Sequence, residues 1–132
     1  MKKNRRGFSL IECGAAGAMV IVLLGVGLQF FAAVSAHCQA LRWRQIAWQE
    51  AANALERLAQ RPWEALETEK TRDIALSEEA QGVLPQGTLS IHIRAESPDR
   101  LEARRIMAEV RWEPRWGETQ SVRLVTWRYR RP

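Results

Sequence analysis

Proline is absent from the first 61 residues of this 132-residue chain. A helix can run through that whole stretch without meeting the residue that most readily breaks one. Cysteine is scarce: Cys13 and Cys38 are the only two. On one continuous helix they lie ~37 Å apart by helical rise, too far for an internal bridge. A disulfide framework is therefore excluded; Cys13 reads as a small packing residue, and Cys38 as a free thiol or a link between subunits. The two histidines, His37 and His92, offer no metal-ligand spacing. No glycine-rich phosphate loop, zinc pattern or nucleophile elbow occurs. Glu64, Glu67, Glu69, Asp73, Glu78 and Glu79 lack the spacing of a calcium loop and read as a solvated connector. The chain is not expected to be an enzyme, and no metal or cofactor is expected.

Charge is less one-sided than the formal net of +5 suggests. Four of the 20 basic residues are Lys2, Lys3, Arg5 and Arg6. Without residues 1–7 the balance is 16 basic against 15 acidic groups, so the basic pI is weak support for a nucleic-acid partner. Residues 50–81 carry eight acids and four bases, and residues 88–132 carry six acids and ten arginines. That polarity could orient subunits against one another.

What is present is concentrated in the first forty residues. The basic cluster is followed by Gly7-Phe8-Ser9-Leu10-Ile11-Glu12 and then by an apolar run. Cys13 to Ala36 is 24 residues with no charged side chain. At ~1.5 Å per residue that is ~36 Å of helix, enough for a hydrocarbon core ~30 Å thick. Positive charge ahead of the run holds that end in the cytoplasm and sends the rest of the chain across, weakly opposed by Arg42 and Arg44. Glu12 is the anomaly, because a carboxylate at the mouth of such a run is costly unless paired. A cut after Gly7 would give Phe8 a new α-amine, one helical turn from Glu12.

Gly7-Phe8-Ser9-Leu10-Ile11-Glu12, behind a short basic leader and ahead of a long apolar helix, resembles the signal of type IV pilins and type II secretion pseudopilins. The resemblance implies cleavage by a prepilin peptidase between Gly7 and Phe8, with N-methylation of Phe8. It implies that Glu12 pairs with the amino terminus of an adjacent subunit during assembly. It further implies a single-pass protein of the bacterial inner membrane with a periplasmic carboxyl-terminal domain. The expected partners are other pilin or pseudopilin subunits and an inner-membrane assembly platform. The small head points to a minor subunit, similar in layout to the small I-type pseudopilin or to a minor pilin. Three simpler readings stand beside this one. Glu12 could serve only its own helix start, where the dipole stabilises acids by ~0.3–1 kcal/mol. The run could be a secretory signal cut after Ala36, at Val34-Ser35-Ala36, releasing an exported soluble binding domain, although it exceeds the usual h-region of about 7–15 residues. Or it could be a plain anchor.

The expected organisation is a leader over 1–7, a membrane and assembly helix over 8–36, and a head over 37–132. Helix periodicity continues past the membrane to about residue 61. Leu41, Trp48, Ala51, Leu55 and Leu58 form one apolar stripe, and Trp43 suits either a membrane interface or a core. Gly14, Gly17, Gly25 and Gly27 offer small surfaces for close helix approach. Pro62 ends the helix. A connector follows over 62–87, with a short capped turn at Ser77–Gly82. Three strand patterns occupy 88–130: Leu89-Ile91-Ile93-Ala95, Ile106-Ala108-Val110-Trp112, and Val122 to Tyr129 in uncertain register. Pro98-Asp99 and Pro114–Gly117 mark the turns between them. Three strands need a covering face, and the helix stripe supplies it. The expected fold is α+β and pilin-like, a long helix on a three-stranded antiparallel sheet. The tail interleaves Trp127 and Tyr129 with Arg128, Arg130 and Arg131. Those arginines could contact nucleic acid, as in a DNA-binding competence pilin, or could simply protect an edge strand; nucleic acid is not the expected partner.

Overall fold

The computed structural model describes residues 9–66, 71–96, 102–115 and 117–130. The fold is α+β: one long amino-terminal helix and a four-stranded antiparallel sheet. Two compact units divide the chain at Ala40 and Leu41. Helix α1 (Leu10–Ala59) contributes to both.

In the first unit the side chains of α1 are exposed, including Leu23, Leu24, Phe30 and Phe31. An uninterrupted apolar surface on every side of a helix is the pattern of a membrane span. This helix is long and apolar enough to cross a bilayer.

In the second unit, residues 41–59 of α1 are followed by a 3-10 turn (Trp63–Ala65), β1 (Thr71–Ile74), α2 (Glu78–Val83), β2 (Thr88–Glu96), β3 (Ala103–Trp112) and β4 (Gln120–Tyr129). The strands lie in chain order, each antiparallel to the next. The expected turn at Pro98-Asp99 lies outside the described residues, but the strands flanking it pair directly from Thr88↔Arg111 to Glu96↔Ala103.

The sheet has four strands, not the three expected, because β1 forms inside the stretch read as connector. Only Ile74 of its four residues is apolar, so it carries no alternation to detect. It is defined instead by its neighbour: Thr71 pairs with His92 and Asp73 with Ser90, and Thr71 Oγ1 lies 2.8 Å from His92 Nδ1. The α-helix also stops at Ala59, short of residue 61. Its last turn tightens, with Arg61 N–H donating to Leu58 O at 3.1 Å. The residue before a proline is pushed out of helical geometry, so Pro62 acts upstream of itself.

The core lies between α1 and the inner face of the sheet. Leu89, Ile91, Ile106, Ala108, Val110, Trp112 and Val122 are buried on the sheet side. Leu89-Ile91-Ile93 and Ile106-Ala108-Val110-Trp112 therefore face as their alternation predicted. The helix face is rotated from the expected stripe. Ala47, Ala51, Ala54 and Leu58 are buried, while Leu41 and Trp48 are each 53% exposed. Trp43, Ile46 and Leu55 pack at the margin of the core. The physical reason is volume. Alanines let the helix approach a sheet that already supplies large side chains; Trp48 in their place would hold it off.

Helix α2 begins as its letters suggest. Ser77 Oγ accepts from Ala80 N–H at 3.2 Å, an N-cap. Leu84-Pro85-Gln86-Gly87 then closes a turn, with Gly87 N–H donating to Leu84 O at 3.3 Å and Gln86 at a φ of 51°. Gly87 is required by contact: a Cβ there would sit 2.7 Å from Leu76 Cδ1 and 3.0 Å from Leu84 Cβ.

Candidate functional site

Gly7 and Phe8, the expected processing and methylation site, lie outside the described residues, as does Arg131. Glu12 is described. Its Oε2 accepts from the Ser9 main-chain N–H at 3.0 Å, and Ser9 Oγ accepts from Ile11 N–H at 3.3 Å. Ser9-Leu10-Ile11-Glu12 is thus a variant of the capping box, in which the Ser9 hydroxyl takes the second rather than the third N–H of the helix; the two bonds satisfy two main-chain donors that the helix start leaves open. The S-x-x-E spacing was legible, but attention to the cost of Glu12 near hydrocarbon drew the reading toward a partner in another chain. The carboxylate is exposed, so the bond to Ser9 leaves lone pairs free for a second cation.

Along the same unit, among the described residues and leaving aside the helix's own adjacent backbone, nothing comes within 4 Å of a Cβ built at Gly14, Gly17, Gly25 or Gly27. Both cysteines are free and exposed on α1.

In the second unit, the two described arginines of the tail, Arg128 and Arg130, are engaged within the chain. Arg128 Nη1 donates to Leu58 O at 3.4 Å and also to Arg61 O. It thereby gives Leu58 O a second donor beside Arg61 N–H and binds Arg61 O just past the end of α1. Arg130 donates to Glu102 at 2.8 Å, and this bond holds its guanidinium pKa above the usual value. Arg104 stands opposite Arg128 in the β3–β4 ladder. It stacks 4.2 Å over the Trp63 ring and donates to Trp63 O and Leu66 O. Two like charges face each other here because each is held by main-chain carbonyls. Trp127 and Tyr129 instead project on the outer face, across from Arg105 and Ala103, and Arg105 lies 6.0 Å from the Trp127 ring centre. The aromatics and arginines that alternate in the letters are therefore parted onto opposite faces.

Two buried acids were not anticipated. Glu50 is 6% exposed on α1. Its carboxylate accepts from Ser77 Oγ at 2.6 Å and from Ser77 N–H at 3.2 Å. It ties the helix to the start of α2 across 27 positions of sequence. Glu109 is 3% exposed, on the outer face of the sheet, and accepts from Arg111 at 2.9 Å and Arg123 at 3.0 Å. Burial pushes its carboxyl up, but the two guanidiniums outweigh burial and hold it below the usual carboxylate range.

Among the described residues no group of three or more His, Cys, Asp or Glu side chains could hold a metal ion. Of the connector acids, Asp73 belongs to β1 and Glu78 and Glu79 form the first turn of α2, while Glu67 and Glu69 lie outside the described residues. The arrangement offers a membrane-compatible helix with an acid at its start, and a small head whose long basic strand closes one side of the sheet. No protein-family model, no curated protein and no solved structure matches this chain.

Proposed function

We propose that this chain is a minor pilin or minor pseudopilin, a structural subunit of a fibre assembled at the bacterial inner membrane for type II secretion or for a type IV pilus. A prepilin peptidase cuts it between Gly7 and Phe8 and methylates the new Phe8 amine. Residues 8–36 anchor it, and the head lies in the periplasm until the assembly platform draws the subunit into the fibre. What carries the reading is the order of features at the amino terminus: basic leader, Gly7, Phe8, Glu12 and a charge-free run to Ala36. The α+β architecture is compatible with a pilin-like layout, with a fourth strand added. Glu12, having bonded Ser9, retains acceptor capacity for a neighbour's α-amine, and that second bond is its assembly role.

Arg128 and Arg130 already bind carbonyls and Glu102, so the reading does not lean on nucleic acid. Mass spectrometry of the mature amino terminus tests the class. N-methylated Phe8 is expected, and Gly7→Trp should leave the precursor uncut. A mature chain beginning at His37 would replace this reading with an exported binding domain.

A further inference from the structure

The two edges of the sheet differ. β1 is four residues long, whereas β4 is ten, and among the described residues no strand lies beyond β4. Arg130 N–H donates to Glu102 O at 3.0 Å, which sets the alternation of the ladder. Even-numbered residues of β4 turn their main-chain groups toward β3. Ser121, Arg123, Val125, Trp127 and Tyr129 turn theirs outward. Five donors and five acceptors therefore line a straight edge, beside apolar side chains that are 41% (Val125), 43% (Trp127) and 51% (Tyr129) exposed. Sheet proteins usually shorten, bulge, cover or charge such an edge; β1 is shortened, whereas β4 keeps its full length and carries Arg123, Arg128 and, at its end, Arg130.

We infer that the free edge of β4 is a docking site for an extended, acidic segment of a partner protein, which adds to the sheet as a fifth strand. Charge selects the occupant. From Gln120 to Arg130 the chain carries Arg123, Arg128 and Arg130 and no acid. Arg123 is paired with Glu109 and Arg130 with Glu102, whereas among the described residues Arg128 donates only to carbonyls, so its charge meets no carboxylate there. Pairing β4 with β4 of a second copy would bring two Arg128 side chains, each held only by carbonyls among the described residues, into one seam with no carboxylate offered to either, which is unfavourable. Pairing it with a second copy's β1 would use only four residues of the ten available. A partner strand with carboxylates at alternate positions places them beside Arg128 and Arg130. The edge also ends in an open cleft of about 670 Å³ lined by Ala59, Trp63, Glu64, Trp127, Arg128, Tyr129 and Arg130; its lining is mostly polar, with three aromatic residues available to one aromatic side chain at the end of that strand. Main-chain bonds give such additions their affinity, and the flanking side chains their selectivity. The inference needs the head's sheet alone, not the processing of the amino terminus.

The test is amide hydrogen exchange on the full chain in detergent micelles. The probe is a synthetic peptide of about ten residues alternating glutamate with valine and ending in phenylalanine, compared with its lysine counterpart. Without peptide, the amides of residues 121, 123, 125, 127 and 129 should exchange fast while 122, 124, 126 and 128 are protected. The glutamate peptide should slow the odd set by about tenfold or more, and the lysine peptide should not. Val125→Pro removes an outward donor at a position where an edge strand tolerates proline; it should keep the even set protected and abolish the effect. If that variant fails to fold, the wild-type comparison of the two peptides decides. Odd amides already protected without peptide, no slowing by the glutamate peptide, or equal slowing by both peptides would each overturn the inference.

Discussion

Glu12→Gln separates two roles that Glu12→Ala merges. In the structure the carboxylate closes a capping box with Ser9. Glutamine serves nearly as well at that position of the box, so the amide variant keeps the helix start. Alanine loses it, at about 0.5–2 kcal/mol. The proposed pairing with a neighbour's α-amine depends on charge, which glutamine lacks. Opposite unit charges 4 Å apart attract by about 4 kcal/mol at an effective dielectric near 20. Desolvation takes back part of that. Exposed pairs are worth about 0–1 kcal/mol, and breaking a buried pair costs about 3–5 kcal/mol. A pair at the membrane edge falls between, at about 1–3 kcal/mol, or roughly a 5- to 150-fold loss of association. The assay is crosslinking to partner subunits in membranes, with processing scored in parallel and exchange at the Ser9 amide read in micelles. Glu12→Gln should process normally, keep Ser9 protected and lose crosslinking; Glu12→Ala should lose both. Wild-type crosslinking by Glu12→Gln would refute the charge pairing and leave Glu12 as a cap for its own helix. Loss of Ser9 protection in that variant would refute the capping box as drawn.

Glu50→Ala should destabilise the head by about 2–3 kcal/mol, since two hydrogen bonds to a charged acceptor are lost and the Ser77 donors are left wanting; thermal unfolding followed by tryptophan fluorescence checks this, and a change below about 0.5 kcal/mol would sink it. Glu109 has a folded-state pKa below its unfolded value, so its stabilisation is full above the ordinary carboxylate range and is lost as pH falls through the depressed value. Unfolding midpoints between pH 6 and 3 should drop less steeply in Glu109→Gln than in wild type, and parallel curves would count against the ion-pair triad. Gln86→Gly should stabilise by about 0.5–1 kcal/mol, because position 86 sits at positive φ; a lower melting temperature would mean that the Gln86 side chain makes a contact of its own.

The regular elements were legible where their patterns were long. A proline-free apolar run specifies α1, and strict alternation specifies β2 and β3 and the faces they bury. β1 was illegible because Thr71-Arg72-Asp73 offers no apolar period, and its place depends on β2. The buried face of α1 was legible at Ala51 and Leu58 but misjudged at Leu41 and Trp48, because large residues were weighted above small ones; the sheet selects Ala47 and Ala54 instead. Glu50 looked like any solvent-facing acid on an amphipathic helix, since nothing near it in sequence reveals Ser77. At the candidate assembly site the reverse held. Ser9 and Glu12 are close in sequence, and their bond was overlooked because the cost of the charge suggested a distant partner.

The charged side chains of the head share a habit that bears on what the head can bind. Glu50 takes the Ser77 N–H and hydroxyl, Arg104 binds Trp63 O and Leu66 O, and Arg128 binds Leu58 O and Arg61 O. Glu50 holds the start of α2, while Arg104 and Arg128 hold the chain at and after the end of α1, where regular main-chain partners are few. An ion pair would have cancelled its charges in doing so. Carbonyls satisfy a guanidinium's donors but leave its charge standing, so Arg104 and Arg128 contribute positive charge near the end of α1 and the end of β4, beside Glu64 and Glu102. Arg130, although paired with Glu102, does so at the exposed surface, where solvent and salt screen such a pair. The same arginines that close the fold after Pro62 therefore bias the free edge of β4 toward acids, and the head's fold and its selectivity for a partner rest on one set of side chains.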